Sequence, residues 1–254
     1  MKNGVIGNDR IRSILVLAAT TGVIVFNWLA ATGRLGSDTG AISAKYPTLL
    51  TPAGYAFSIW GLIYLGLIAF SIYQLLPANL SRFRPVRSLY IFSCALNCAW
   101  LYFWHREQIV VCFIVIAALC GTLAFISYYL RRSDSHAERW AAKAPFGLYF
   151  GWVTAAMLVN LAIVLKSLNV ATAPSAEAIL AVSLILVAAA LAVLVRMKLT
   201  NYIYPLAVAW ALTAIAVKQS GHTAVVFAAA AGVIACLIAS LSFVMNLPSS
   251  TSEA

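Results

Sequence analysis

Eight apolar runs separated by short polar stretches make up most of the chain. They cover Ile14 to Ala31, Ala53 to Leu76, Ser88 to Trp104, Gln108 to Leu130, Ala144 to Leu165, Ala176 to Val195, Tyr202 to Val217 and Thr223 to Met245. A helix crossing a bilayer core needs about 20 apolar residues, so the pattern predicts eight transmembrane helices. Lys2, Arg10 and Arg12 precede the first run, an arrangement shared by signal peptides and first spans. A stretch of roughly 18 apolar residues is too long for a signal sequence and suits a span. Trp28, near its end, is of the type enriched at membrane interfaces.

Composition agrees with the pattern. Of 254 residues, 63% are hydrophobic and 9% charged, with a mean hydropathy of +0.93. No soluble globular domain has that balance, so the class is an all-α polytopic membrane bundle. With the runs laid across a bilayer in order, twelve of the 17 Lys and Arg residues fall on the N-terminal side. The positive-inside rule then puts both termini in the cytoplasm. Basic juxtamembrane loops also account for the net charge of +10, and nucleic acid is not implied as a partner. The Ser-containing tail from Leu247 to Ala254 reads as disordered.

Few residues offer catalytic chemistry. The acids Asp9, Asp38, Glu107, Asp134, Glu138, Glu177 and Glu253 all fall in predicted loops, helix ends or the tail. A carboxylate inside the membrane is the usual mark of a proton path, and its lack argues against proton-coupled transport, paired-carboxylate catalysis and a hard-metal site. His105, His136 and His222 lie near membrane boundaries without a second His at metal spacing. His105 could reach a haem iron, but a solvated interfacial ring is the simpler reading. Cys94, Cys98, Cys112, Cys120 and Cys236 sit in apolar helices, where thiols behave as small hydrophobes. Lys218 lacks the counter-ion a retinal Schiff base would need. The expectation is a protein that is not an enzyme, has no catalytic residue or metal ligand and requires no cofactor.

The informative stretch is Thr51 to Tyr64, TPAGYAFSIWGLIY. Pro52 is tolerated only in a helix's first turn and so marks a helix start. Trp60 and Tyr64, four apart, share a face with Phe57 beside them. On the third predicted helix Asn97, Trp100 and Trp104 share a face; on the fifth, Trp152, Ala156 and Asn160 do, with Ala155 beside them and Tyr149 one turn earlier. Amides in hydrocarbon need partners, so Asn97 and Asn160 face either another helix or a ligand.

These segments resemble the TspO/MBR family of translocator proteins and tryptophan-rich sensory proteins. The resemblance rests on the Pro–Trp–Tyr spacing of 52, 60 and 64, on ALNCAW from Ala95 to Trp100, and on YFGWVTAAMLVN from Tyr149 to Asn160. It covers roughly residues 11–170 and implies a five-helix ligand-binding core at 1–170. Residues 171–254 would then be a three-helix extension with its tail, whose role is open. The resemblance implies a site for a porphyrin, haem or similar flat hydrophobic ligand, walled by Phe57, Trp60, Tyr64, Trp100, Tyr149 and Trp152. Asn97 and Asn160 would be polar anchors, and Ala155 and Ala156 would leave room. It also implies a sensor, regulator or carrier in the bacterial cytoplasmic membrane, with lipid, a hydrophobic small molecule and a second copy of the chain as partners. A small-solute transporter and an assembly subunit of a membrane complex are the alternatives. Two positions depart from the family pattern. Leu49 stands where the first loop usually carries Trp, and Leu148 stands where a Pro usually precedes Tyr149, with Pro145 nearly a turn earlier. The loop, residues 33–52, would close over the ligand.

Overall fold

The computed structural model describes residues 2–34, 39–133, 135–170 and 173–242, with side chains from residue 9 onward. The predicted tail lies outside them. Nine α-helices are described: α1 (Lys2–Ala31), α2 (Thr39–Lys45), α3 (Ile59–Tyr73), α4 (Arg84–His105), α5 (Ile109–Tyr129), α6 (Ala144–Ser167), α7 (Pro174–Leu199), α8 (Ile203–Lys218) and α9 (Thr223–Leu241). Among the described residues, six helical segments are long and apolar enough to cross a membrane. The eight-run pattern also counted α4 and α8. α4 opens with Arg84 and Arg87, and α8 is only 16 residues long.

Helix starts follow backbone chemistry. Prolines stand in the first turns of α4, α6 and α7, where a missing amide proton costs nothing. α6 is preceded by a short helical turn, His136–Glu138, and a π turn, Arg139–Lys143. This wide turn delivers Pro145 against α3, where a Cβ on Gly66 would lie 2.9 Å from the Pro145 Cβ. The shifted proline is therefore a packing feature. Pro52 is not the start of an α-helix: a 3₁₀ turn, Gly54–Ser58, intervenes, and α3 begins at Ile59.

α1 packs on α3 and α4, α5 lies between α4 and α6, and α3 closes the group against α6. Buried polar clusters bind these helices. Thr20 of α1 meets Ser71 of α3 at 2.6 Å and Tyr90 of α4 at 2.7 Å. Asn27 donates to the Asn97 carbonyl oxygen at 2.7 Å, and the Asn97 amide donates to the Tyr149 hydroxyl at 3.0 Å, linking α1, α4 and α6. In hydrocarbon such bonds each contribute about 0.6–2 kcal/mol and fix register.

The last three helices are not a detached annex. α8 lies along α6, and α9 packs on both α7 and α8. A close approach is at Gly151 of α6, where a Cβ would sit 2.5 Å from the Tyr204 carbonyl oxygen and 2.8 Å from the Ala207 Cβ. The Tyr204 hydroxyl donates to Thr154 at 2.8 Å in the same contact.

Charges near the start of the bundle differ from the sequence expectation. Asp9 lies within α1, only 4% exposed, and pairs with Arg84 and, at 3.7 Å, Arg87. Arg87, expected in a basic juxtamembrane loop, is 0% exposed; it donates to the Gln74 side chain at 2.8 Å and the Leu80 carbonyl at 2.6 Å. Mutual pairing at the bundle end makes both burials tolerable.

Gly151→Val should push α8 off α6 and lower unfolding stability by about 1–3 kcal/mol. Gly121→Ala, with open space around its position, should not destabilise. Thermal unfolding of both variants in detergent checks the contrast; equal midpoints would refute the close approach.

Candidate functional site

The chain before α3 is extended at Ala53 and then winds into the 3₁₀ turn. α8 bonds this turn at two backbone groups. The Ala53 amide donates to the Ala214 carbonyl at 2.9 Å, and the Trp210 indole donates to the Ala56 carbonyl at 3.0 Å. Tyr55 meets the Trp210 ring edge-on at 5.4 Å. Phe57 is thereby aimed inward at Trp152, at 6.0 Å between rings. One turn on, Trp60 stacks on Tyr64 at 5.6 Å and meets Trp152 edge-on at 6.3 Å.

From the other side α4 contributes Trp100 and Trp104, stacked at 5.8 Å. The Trp100 indole faces the Asn160 carbonyl oxygen at 3.4 Å, while the Asn160 amide donates back to Ala156 at 2.9 Å. Ala155 and Ala156 of α6 leave space between these rings. The result is a hollow lined by Phe57, Trp60, Trp100, Trp104, Trp152, Ala155, Ala156, Val159 and Asn160, with Ala211 and Ile215 from α8. Thr39, Ser43 and Pro52 complete the lining. About 40 Å³ of it is open to water, within about 520 Å³ of empty space that includes the mouth. Drug-sized ligands occupy pockets of about 300 Å³ or more, so such a guest requires the walls or the cover to move.

α2 is the cover. The Trp104 indole donates to the Thr39 carbonyl at 3.2 Å. The loop behind α2 is fastened at three corners. At the α4–α5 turn, Glu107 accepts from Lys45 and from the Tyr46 hydroxyl, both at 2.7 Å. At the end of α6, Lys166 donates to the Pro47 carbonyl at 2.6 Å and pairs with Glu177 of α7 at 3.2 Å. At the end of α8, the Gln219 amide donates to the Thr48 and Thr51 carbonyls, both at 3.1 Å. Hydrogen bonds from Lys45 and Tyr46 lower the Glu107 pKa below the ordinary carboxylate value. The bond to Glu107, helped by burial, raises that of Tyr46 to about 12.

Of the ten sequence candidates, Phe57, Trp60, Trp100, Trp152, Ala155, Ala156 and Asn160 line the hollow. Tyr64, Asn97 and Tyr149 stand one layer behind. Tyr64 backs Trp60, Tyr149 meets Trp60 edge-on at 5.9 Å, and Asn97 is spent on Asn27 and Tyr149. Trp104 stood on the same predicted face as Trp100 and was legible from the i, i+4 spacing. Ala211 and Ile215 carried no such signal. Leu49 does not reach the hollow; it lines a small recess with Lys166, Glu177 and Leu180. His105, read as solvated, is half-buried: Nδ1 lies 2.8 Å from the Leu101 carbonyl, and Nε2 is buried with no partner among the described residues. Among the described residues no group of His, Cys, Asp or Glu could hold a metal ion, and all five cysteines are free.

Apolar spanning helices around an aromatic hollow define an integral membrane helix bundle. The chain belongs to the TSPO-like protein family, whose model matches residues 13–243. The match runs beyond the first five long helices and takes in α7, α8 and α9. No curated protein and no solved structure matches the chain.

The cover should respond to acid. The Glu107 pKa is lower in the folded protein, so its contribution is present above the unfolded value and is lost as pH falls through the folded one. The raised Tyr46 pKa keeps its proton donor in place on the alkaline side until pH approaches about 12. Hydrogen exchange at residues 39–46, taken relative to the intrinsic amide rate at each pH, should be flat between about pH 5 and 9 and rise below about pH 4. Glu107→Gln should raise it at neutral pH; exchange unchanged in that variant would show that the corner holds nothing.

Proposed function

We propose that this membrane protein binds a flat hydrophobic ligand, a tetrapyrrole such as protoporphyrin or haem, in the aromatic hollow. It then acts as a sensor, regulator or carrier and not as an enzyme. The observation that carries the reading is the convergence of Phe57, Trp60, Trp100, Trp104 and Trp152 on one space with few polar groups. Flat π-systems stack on such walls, and sparse polar groups set their orientation. Asn160 is the polar group held at the back by Ala156 and Trp100. The hollow's lining, among the described residues, includes no carboxylate, imidazole or thiol, which favours binding over turnover. On this reading the chain sits in the bacterial cytoplasmic membrane with eight spans. α4 and α8 cross it shielded by their neighbours, and the basic end holding both termini faces the cytoplasm.

Ala211 extends the test to α8, where its small side chain lines the hollow. Protoporphyrin and haem should quench tryptophan fluorescence of the detergent-purified protein saturably at about micromolar concentration. Trp60→Leu, Asn160→Leu and Ala211→Leu should each weaken binding by about tenfold, roughly 1.4 kcal/mol. Non-saturable quenching, or quenching indifferent to all three changes, would reject the hollow as the site.

A further inference from the structure

At the basic end of the bundle one buried charge lacks what the others have. Asp9 is met by Arg84 and Arg87, and Glu138 by Arg82 at 2.6 Å. Arg196, three residues before the end of α7, is only 8% exposed. Its Nε has no hydrogen-bond partner, and no carboxylate pairs with it among the described residues. Its guanidinium lies 4.0 Å from the centre of the Tyr202 ring, which gives it a flat seat but no counter-charge. A buried cation without an anion is costly.

The neighbouring groups add positive charge. Lys143, the last residue of the π turn, donates to the Arg131 carbonyl and the Thr200 hydroxyl, both at 2.7 Å and both neutral. It stands within electrostatic reach of Arg196 and Arg139, with Glu138 as the nearby acid. Glu138 is already bonded to Arg82. Thr200, in the left-handed region at φ 52°, turns the chain so that α8 starts beside this point. The ends of α5 and α7, the π turn and the start of α8 therefore converge on two cations, of which Arg196 has no paired carboxylate among the described residues. π turns inside helices are frequent at functional positions. Arg presents a fork of donors matched to phosphate oxygens, and Lys adds a point charge. Basic recesses between helices at a membrane face recognise phosphorylated head groups.

We propose that Arg196 and Lys143, with Arg139 at the rim, form a site for a phosphate oxyanion, supplied by the head group of an anionic phospholipid. The Arg196 guanidinium binds the phosphate while lying on Tyr202. Lys143 adds its charge from the π turn. A zwitterionic head group binds less well, because its own ammonium meets the same cations. The site lies at the end of the bundle remote from α2 and is independent of the aromatic hollow.

The test uses the full chain in detergent with dioctanoyl phosphatidylglycerol, dioctanoyl phosphatidylcholine and inorganic phosphate, read by native mass spectrometry and thermal unfolding. Phosphatidylglycerol should be retained, and should stabilise, at about tenfold lower concentration than phosphatidylcholine. Arg196→Gln and Lys143→Gln should each remove that preference, while Arg106→Gln at the opposite end keeps it. Inorganic phosphate that matches phosphatidylglycerol would support the oxyanion site with free phosphate as its source; phosphate without effect assigns the lipid. Equal retention of the two lipids by the unaltered chain would overturn the proposal and needs no variant to fold. So would a preference lost equally in Arg196→Gln and Arg106→Gln.

Discussion

Inside a bilayer no water is available to bond a backbone group that secondary structure leaves open, and the chain entering the 3₁₀ turn before α3 leaves the Ala53 amide so. The Ala53 amide and the Ala56 carbonyl are both bonded by α8, one by its backbone and one by the Trp210 indole. The aromatic wall depends on this arrangement. Phe57 belongs to the turn itself and Trp60 to the first α-helical turn after it, so their aim toward Trp152 is set where α8 holds the chain. The absence of a Cβ on Gly151 allows α8 close enough to do so.

The same constraint explains why the hollow and its cover form one unit. Where the first connection leaves helical structure, its carbonyls must find donors. Pro47, Thr48 and Thr51 find them on Lys166 and Gln219, at the ends of α6 and α8. Those two helices also supply Ala155, Ala156, Ala211 and Ile215 to the lining. A movement that widened the gap between α6 and α8 would thus loosen the cover and enlarge the hollow together.

Much of this was legible in the sequence, for physical reasons that differ by residue. Trp60, Trp100, Trp152 and Asn160 stand out because large rings and amides are conspicuous in apolar helices and helical spacing puts them on common faces. Ala211 and Ile215 could not stand out. In a helix of alternating Ala, Val and Ile, facing a cavity, a neighbouring helix or lipid requires the same residue types. Trp210 belongs to that same helix, and its indole donates to the Ala56 carbonyl. Asp9 and Arg87 fall outside the predicted apolar runs, and a charge at the edge of such a run has two outcomes, solvation or burial. Only the position of the opposite charge, far along the chain, decides between them.

The polar residues of the core bear on what the hollow can do. Asn97 resembles a ligand anchor in one dimension, but its amide is already divided between Asn27 and Tyr149, and releasing it would break the link between α1, α4 and α6. Asn160 differs, because its carbonyl oxygen meets the Trp100 indole at 3.4 Å, a long contact that a guest with its own donor could replace. On the proposed reading ligand orientation rests on Asn160, while Asn97 and Tyr149 back the wall behind Trp60.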